Sequence, residues 1–269
     1  MESNEKKTVL ITGATSGIGK ALAHKFAGNG YDIIAVSRNE DELNKITSEI
    51  QNQYGVEVFS IKKDLAQDGA AKEVYSEVKQ TKRTVNILVN DAGVGQRGNF
   101  VDIPTEKDSE IIHLNVLALA QLTKLYAKEM VERDEGRILN LGSIAGFQPG
   151  PMMAIYHATK AFVVSFSEAL ATELKDMKSA VTVTCLCPGP TDTNFFSRAD
   201  MENTNVVANK DKLMESPHKV AEEGYEALMK GERIHIPGAS NKVMTFTRRV
   251  IPKSLQAKIQ KKFYETHEE

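Results

Sequence analysis

Tyr156 and Lys160 have the residue types and the spacing for proton transfer. They lie at the start of a long segment with helical periodicity, and positions four residues apart share one face of a helix. A free tyrosine has a pKa of about 10, and a neighbouring ammonium group favours its ionised form. Tyr156 is therefore a candidate to donate or accept a proton near neutral pH.

This spacing is not distinctive by itself, because Tyr75 and Lys79 match it equally well. That pair falls on a predicted outer helix without a companion serine, and we interpret it as surface and packing. Tyr156 differs because it stands 13 residues after Ser143, which follows the apolar run Arg137–Leu141. In an open α/β sheet, ligands bind at the edge where such strands end.

A glycine-rich turn connects the first apolar run to a helical segment. Gly13 allows a tight turn, Gly17 removes the Cβ that would block a pyrophosphate, and Gly19 allows a helix and a strand to pack closely. The free N–H groups at the helix start then face phosphate oxygens. A glycine-rich turn alone is a weak indication of a dinucleotide site. Here the strand before the turn and the helix after it strengthen that indication. The predicted cofactor contacts here are Gly13, Thr15, Ser16, Gly17, Ile18 and Gly19.

The residues after the second strand bear on which dinucleotide is bound. An acidic residue there accepts hydrogen bonds from the adenosine ribose, but this sequence has Ser37 and Arg38. A guanidinium pairs with a 2′-phosphate through two hydrogen bonds, which favours NADP(H) over NAD(H). The alternative is a solvated surface arginine. Further residues are expected along the adenine and ribose, although each also suits a turn or a helix cap: Asp64, Leu65, Asn90, Ala92 and Gly93.

Seven short apolar runs alternate with longer amphipathic segments, which predicts a parallel sheet with helices on both faces. Several runs are apolar nearly throughout, as strands covered on both faces must be. No repeat, low-complexity tract or Gly/Ser-rich linker divides the chain, so 1–269 is interpreted as one α/β domain. The predicted strands are Thr8–Thr12, Asp32–Ser37, 56–61, 85–89, Arg137–Leu141, 181–186 and 233–237.

Two later segments have particular expectations. Residues 188–217 show no clear period, and a loop of this length is expected to bind substrate or act as a lid. Residues 247–269 are predicted to form a basic helix that covers the substrate pocket, packs on another subunit, or lies on an anionic membrane surface. Covering or packing is favoured, because the apolar stripe is short and lacks tryptophan. The stripe is Ile251, Leu255, Ile259 and Phe263, and the basic residues are Arg248, Arg249, Lys253, Lys258, Lys261 and Lys262.

Composition excludes some classes of partner. The chain has 34 basic and 36 acidic side chains, so no global field attracts nucleic acid. No apolar run approaches about 18 residues, so no membrane-spanning helix is expected, and the polar start lacks secretory features. Cys185 and Cys187 are expected in a core strand, and a reduced cytoplasmic setting is the default. The six histidines show no metal-ligand spacing, and we expect no metal.

Apolar and soft side chains flank the predicted centre on loops. They suit a hydrophobic ketone or alcohol better than a sugar or a hydroxy acid. The alternative is that they pack a lid onto the domain. His157 is expected to point to another side of the helix than Tyr156. The flanking residues are Phe147, Met152, Met153, Phe195, Phe196 and Met201.

In chain order these motifs resemble the short-chain dehydrogenase/reductase family. The resemblance rests on T-G-x-x-x-G-I-G at 12–19, N-x-A-G at 90–93, Asn115, Ser143, Tyr156-x-x-x-Lys160 and Pro188-Gly189, and runs from residue 8 to about 240. It implies a seven-stranded doubly wound Rossmann sheet, a nicotinamide cofactor, and a tetrad of Asn115, Ser143, Tyr156 and Lys160. Pro188 and Gly189 would contact the cofactor.

The resemblance also implies a role for each tetrad residue. Tyr156 is the acid/base, and Ser143 orients the carbonyl or hydroxyl group. Lys160 binds the nicotinamide ribose and lowers the pKa of the tyrosine. Asn115 supports a proton-relay water, although its residue type alone fits a capped or solvated amide.

Other implications of the resemblance concern the cofactor and assembly. Thr191 and Thr193 would place their hydroxyls against the carboxamide and phosphates, with a local turn as the alternative. Asp91 stands where the family usually has Asn, and Ser16 where NADP-binding members often carry a basic residue. A homodimer or homotetramer is implied.

These patterns predict an NADP(H)-dependent oxidoreductase that interconverts a carbonyl and a secondary alcohol on an apolar substrate, such as a 3-oxoacyl, steroid-like or other ketone. The alternative is a nicotinamide-binding regulatory or scaffold protein without turnover. Such a protein would be expected to have lost part of the tetrad.

Overall fold

The computed structural model describes residues 6–247 and 251–266. Its strands form one parallel sheet in the order β3-β2-β1-β4-β5-β6-β7. The strand order reverses between β1 and β4, and ligands of such sheets bind at this point, beyond the carboxyl ends of the strands. The predicted doubly wound Rossmann arrangement is confirmed. The strands are β1 (Thr8–Thr12), β2 (Asp32–Ser37), β3 (Val58–Lys62), β4 (Val85–Asn90), β5 (Arg137–Leu141), β6 (Thr182–Leu186) and β7 (Ile234–His235).

Helices cover both faces of the sheet. One apolar core joins the first, second and tenth helices to the sheet around the fully buried Phe26, and a second core joins the third, fifth and sixth helices around Tyr126. The helices are α1 (Gly17–Gly28), α2 (Glu40–Tyr54), α3 (Ala70–Gln80), α4 (Thr105–Ile112), α5 (Leu119–Glu132), α6 (Ala154–Asp176), α7 (Phe195–Arg198), α8 (Asn205–Ala208), α9 (Lys210–Leu213), α10 (Pro217–Lys230), α11 (Ala239–Thr247) and α12 (Lys253–Tyr264).

The structure corrects several boundaries. The seventh strand has only two residues, and the third and sixth strands begin later than predicted. The segment 188–217 contains three single-turn helices, α7, α8 and α9. Within the predicted helix at 247–269, the structure describes one helix, α12, and Thr247 is the last residue of α11. Helix α12 begins directly after Pro252, which cannot donate a backbone hydrogen bond and therefore favours a helix start. Arg248, Arg249 and 267–269 lie outside the described residues.

The second Tyr-x-x-x-Lys pair is a packing element, as predicted. The Tyr75 hydroxyl donates a hydrogen bond to Glu129 of α5, and Lys79 Nζ lies 2.9 Å from the same carboxylate. The Tyr75 ring meets the buried Tyr126 edge to face at 5.4 Å between centroids. This pair therefore joins α3 to α5 rather than facing the sheet edge.

The two cysteines lie in the core, as predicted. Cys185 and Cys187 are both free and buried, with their Sγ atoms 3.5 Å apart. A Cβ on Gly142 would come within 2.9 Å of both sulfur atoms, so glycine lets the end of β5 approach β6. Among residues 6–247 and 251–266, no three His, Cys, Asp or Glu side chains are placed to hold a metal ion. No helix in the described part of the chain has the length and apolarity to cross a bilayer.

The Asp91 carboxyl group lies against the glycine-rich turn, where protein atoms shield it from solvent. Its carboxylate accepts a hydrogen bond from the backbone N–H of Gly19. A Cβ on Gly19 would collide with this carboxylate and with the Gly13 carbonyl, so only glycine allows the close packing. Burial raises the pKa of Asp91 to about 7, although Lys160 and the Gly19 N–H counteract part of the effect. The carboxyl group is thus held near the midpoint of its titration at neutral pH.

Replacing Asp91 with asparagine is expected to stabilise the free protein at pH 8 but not at pH 5. Because the folded-state pKa of Asp91 lies above its unfolded value, the folded protein binds more protons between about pH 4 and pH 7, and stability falls as pH rises through that range. The asparagine variant lacks this loss. Its Tm relative to wild type should rise by about 2–4 °C between the two pH values.

Thermal unfolding at both pH values measures this difference. The exposed Asp176 supplies the matched control, because Asp176→Asn makes the same change of charge at the end of α6. An equal Tm difference at pH 5 and pH 8 for Asp91→Asn would show that the carboxyl group titrates normally in the fold.

Candidate active site

Lys160 ties the helix that carries Tyr156 to the strand that precedes Ser143. Its buried Nζ donates a 2.7 Å hydrogen bond to the carbonyl of Leu141, the last residue of β5. A Cβ on Gly146 would come 2.6 Å from the carbonyl oxygen of Lys160, so α6 packs directly on the segment after Ser143. These two contacts fix the two elements that supply the candidate chemistry.

Tyr156 lies on the cavity wall with Ser143 beside it. Burial raises the pKa of Tyr156 to about 12, and the side chain of Ser143 offsets part of this rise. Lys160 Nζ lies 5.8 Å from the tyrosine ring centroid and donates to Leu141, and its role in lowering the pKa of Tyr156 stays a prediction. Burial also lowers the pKa of Lys160, while Asp91 counteracts this effect. Tyr156 is therefore protonated at neutral pH.

Asn115 lies in a widened helical turn, His113–Ala118, between α4 and α5. Such π-helical turns are rare and occur often at functional sites. The Asn115 amide accepts a hydrogen bond from the Val94 N–H at 3.0 Å and donates to the Val94 carbonyl at 2.9 Å. It also donates to Thr159 on α6. Its side chain thus fixes the loop after β4 against α6, next to Lys160.

A cavity of about 350 Å³ extends from the glycine-rich turn to Ser143, Tyr156 and Lys160. Many of the residues predicted from sequence line it, and residues of the C-terminal helices form another part of its wall. The predicted residues that line it are Ser16, Gly17, Ile18, Gly93, Ser143, Met153, Tyr156, Lys160, Pro188, Gly189, Thr191, Thr193, Phe195, Phe196 and Met201.

The turn at the other end of the cavity fits a dinucleotide phosphate group. Gly13 and Gly17 have φ angles of +70° and +55°, which side chains other than glycine rarely adopt. Helix α1 starts at Gly17, and the side chain of its N-cap residue Ser16 makes no capping hydrogen bond. The N–H groups of Gly17 and Ile18 are therefore available to phosphate oxygens, whereas the N–H of Gly19 donates to Asp91.

Arg198 is a residue that sequence reasoning missed. Its guanidinium lies 3.5 Å from the Ser16 hydroxyl, although the two are 182 positions apart. It supplies a positive charge from the 188–217 segment where the turn itself has none. Nothing in the local sequence pattern indicates this contact, because it depends on how the loop folds back.

The adenosine end has both positive and negative groups. Arg38 is 56% exposed and lies 3.4 Å from the Glu110 carboxylate. The hydroxyl of Thr15 donates to Glu42 at 2.9 Å and lies 3.1 Å from the Ser37 hydroxyl. Glu42 was not singled out from sequence, although it lies in the first turn of α2, directly after the Ser37–Arg38 pair. A carboxylate therefore stands close to the predicted ribose position.

Three of the predicted cofactor residues have local structural partners instead. Asp64 accepts a hydrogen bond from the Ala66 N–H in a tight turn, and Leu65 is buried in the core. Asn90 is buried and donates to Thr123 and Asn140, joining β4 to α5 and β5. None of these three lines the cavity, and neither does Ala92, which packs against the core.

Two predicted substrate residues do not contribute to the cavity wall. Phe147 packs with Val163 and the two cysteines in a separate apolar cluster. Met152 does not line the cavity, and its carbonyl accepts a backbone hydrogen bond from Gly98 in a turn with a φ of +68°. Its side chain nevertheless packs against the apolar cluster of Met153 and Met201 beside Tyr156.

Thr191 and Thr193 form the local turn that was considered as the alternative, and their contacts with the cofactor stay a prediction. Each hydroxyl makes a local hydrogen bond, from Thr191 to the Gly189 carbonyl and from the Phe195 N–H to Thr193. Both side chains also line the cavity. The turn geometry thus places the two hydroxyls on the cavity wall.

The C-terminal helices supply cavity residues that no motif indicated. His157 points away from the cavity, as predicted, and its Nε2 lies 2.8 Å from the Tyr264 hydroxyl. Gln148 donates to Gln260 of α12. The other residues of these helices that line the cavity are Ser240, Asn241, Met244 and Phe263.

Known proteins share this architecture. The family model described as short chain dehydrogenase matches residues 7–204. The very-long-chain 3-oxoacyl-CoA reductase of Bos taurus is 37% identical over 172 residues, which are 62% of this chain and 54% of that protein. The chain thus spans about half the length of this curated relative.

Two solved structures are similar over nearly the whole chain. A short-chain dehydrogenase from Sphingobium yanoikuyae in complex with NADPH is 31% identical with a TM-score of 0.79, covering 91% of this chain and 94% of its own. The bulky-bulky ketone specific alcohol dehydrogenase from Comamonas testosteroni is 28% identical with a TM-score of 0.76, covering 91% and 92%. The motifs, the fold and these matches together show that the chain belongs to the short-chain dehydrogenase family.

Proposed function

We propose that the protein is an NADP(H)-dependent oxidoreductase that interconverts a carbonyl and a secondary alcohol on an apolar substrate. One observation carries the proposal: Ser143 and Tyr156 lie side by side on the wall of the cavity, and Lys160 anchors their two elements through Leu141. The cavity connects this pair to an uncapped helix start that suits phosphate groups.

The nicotinamide cofactor, when bound, supplies the hydride that reduces the carbonyl carbon. Ser16, Gly17 and Ile18 would hold its phosphates through the start of α1. Gly93 and Lys160 line the part of the cavity nearer to Tyr156. A Cβ on Gly93 would come 3.2 Å from the Asn115 amide oxygen and 3.6 Å from Lys160 Nζ, so glycine keeps this part of the cavity open.

In this proposal Tyr156 transfers the proton, and Ser143 binds the carbonyl oxygen. Because burial keeps Tyr156 protonated at neutral pH, its hydroxyl can donate a proton to a carbonyl oxygen as the carbon is reduced. Ser143 donates a hydrogen bond to the same oxygen and holds it in place. In alcohol oxidation the same groups act in reverse, with Tyr156 accepting the proton.

The lining of the cavity supports an apolar substrate. The Phe195 ring packs against Tyr156 at a tilt of 45°, with 5.1 Å between ring centroids. A Cβ at Gly95 would come 2.9 Å from the Phe195 ring, so glycine makes room for it. Met153 and Met201 are buried in the same cluster. The names of the bovine relative and of the Comamonas enzyme refer to a very-long-chain 3-oxoacyl thioester and to bulky ketones, which agrees with this lining.

The preference for NADP(H) rests on Arg38 at the end of β2. Its guanidinium is exposed, and its ion pair with Glu110 is long, at 3.4 Å. A 2′-phosphate can therefore compete with Glu110 for the guanidinium. Glu42 opposes this preference, because its carboxylate bonds to Thr15 close by. The cytoplasmic setting and the homo-oligomer stay predictions.

Replacing Tyr156 with phenylalanine is expected to reduce turnover by about 100-fold or more, because the proton donor is lost. NADPH affinity should stay within about twofold, since the ring and its packing on Phe195 remain. NADPH consumption on a panel of apolar ketones and 3-oxoacyl thioesters measures turnover, and fluorescence titration measures the affinity.

Tyr75→Phe is the matched control, because it removes a hydroxyl from the same sequence motif at the packing site on Glu129. It should leave turnover unchanged. Unchanged turnover in Tyr156→Phe would remove the tyrosine from the chemistry. Tight NADPH binding by wild type without turnover on any carbonyl would favour the regulatory role.

Replacing Arg38 with aspartate is expected to weaken NADPH binding by about tenfold or more while NADH binding changes much less, because a carboxylate repels the 2′-phosphate. Dissociation constants for both cofactors measure this shift. Glu110→Gln is the control, since it removes only the acidic partner of Arg38 and should leave NADPH affinity equal or slightly higher. Equal weakening of both cofactors in Arg38→Asp would give Arg38 a structural role.

A further inference from the structure

Helix α12 packs its polar side chains inward. Gln256 and Gln260 are only 6% and 8% exposed, and Tyr264, four residues further on, is also buried. Gln256 donates to the Ile251 carbonyl, Gln260 accepts from Gln148, and the Tyr264 hydroxyl meets His157. Polar contacts therefore anchor this helix to the wall of the cavity.

The outer face of α12 is apolar and basic instead. Leu255 and Ile259 are 49% and 46% exposed, and Lys258 and Lys262 share their face at helical spacing. Helix α12 does cover the cavity, as predicted, and Phe263 of the predicted stripe lines it. Leu255 and Ile259 of the same stripe face outward instead. Exposing leucine and isoleucine while burying two glutamines is unfavourable in water, so this face is expected to be covered by something else.

Helix α11 repeats this arrangement. Asn241 and Thr245 are buried, and Met244 faces the cavity. The exposed residues of α11 include Lys242 and its neighbour Val243, which is 64% exposed. Two neighbouring helices in the chain thus each expose aliphatic side chains flanked by lysine.

The charge of this region is strongly positive although the whole chain is slightly acidic. The described residues of this region, 239–247 and 251–266, contain five lysines but a single acidic residue, Glu265, against a net charge of -2 for all 269 residues. Two copies of so basic a face would repel one another. An anionic partner complements it, and a basic amphipathic helix with aliphatic residues on its exposed face is typical of binding at a membrane interface.

We propose that the outer faces of α11 and α12, which we call the C-terminal face, bind the surface of an anionic lipid bilayer. The lysines contact the headgroups, and Val243, Leu255 and Ile259 enter the interfacial region. The inner faces of the same helices line the cavity, so bilayer binding would place the cavity beside the lipid. The binding claim does not depend on the proposed reductase activity.

Co-sedimentation of the full chain with lipid vesicles tests the proposal. Vesicles of phosphatidylcholine alone are compared with vesicles containing about one-third phosphatidylglycerol. Wild type is expected to bind the anionic vesicles at least about tenfold more strongly, and about 0.5 M NaCl should weaken this binding.

Two double variants separate the apolar and the charged contributions. Leu255→Gln with Ile259→Gln, and Lys258→Glu with Lys262→Glu, should each lower vesicle binding by about tenfold or more. The matched controls lie at the end of α6, where Met177, Lys175 and Lys178 are exposed. Met177→Gln, and Lys175→Glu with Lys178→Glu, should bind like wild type, with circular dichroism and Tm confirming that all variants fold.

Three results would overturn the proposal. They are no binding of wild type to anionic vesicles, undiminished binding in both C-terminal variants, or an equal loss in the controls at α6. Sedimentation equilibrium of the same proteins identifies a rival occupant. Wild type would then not bind vesicles but would form an oligomer, and the double variant Leu255→Gln with Ile259→Gln would be monomeric. That result would show that the C-terminal face binds a second copy of the chain instead.

Discussion

The hydrogen bond from Lys160 to the carbonyl of Leu141 is the constraint on which the candidate site depends. It holds α6 against the end of β5, and Ser143 and Tyr156 therefore meet at the cavity wall although they come from different elements. A buried ammonium group without a partner would be unfavourable, so the carbonyl both stabilises Lys160 and fixes its position. The Asp91 carboxylate also favours the charged form of Lys160 and counteracts the effect of burial on the pKa of Lys160.

The surrounding sheet is organised to keep this edge rigid. Asn90, Asn140 and Ser167 form a buried chain of hydrogen bonds that joins β4, β5 and α6 directly behind the site. Asn115, in its widened turn, joins the loop after β4 to the same helix. Buried hydrogen bonds of this kind favour a single arrangement of the packed elements, although Asn90 Oδ1 has no partner among the described residues. The loop and the C-terminal helices then complete the cavity around this fixed centre.

The sequence predicts the elements and the local motifs well, because apolar periodicity and glycine turns act over a few residues. It identifies Ser143, Tyr156 and Lys160, and it separates them from Tyr75 and Lys79 by context. It does not predict Arg198 beside Ser16, Glu42 on Thr15, or Gln260 at the cavity, because these contacts depend on how distant segments fold together. It also misplaces Phe147, whose apolar character fits a core as well as a pocket.

The most direct test of the account follows the hydride itself. NADPH dideuterated at nicotinamide C4 is incubated with the protein and representatives of each ketone class, and the products are analysed by mass spectrometry. The account predicts an alcohol with one deuterium on the former carbonyl carbon, formed from an apolar ketone or 3-oxoacyl thioester. Reduced cofactor that binds to the protein while no carbonyl class yields a deuterated alcohol would contradict it.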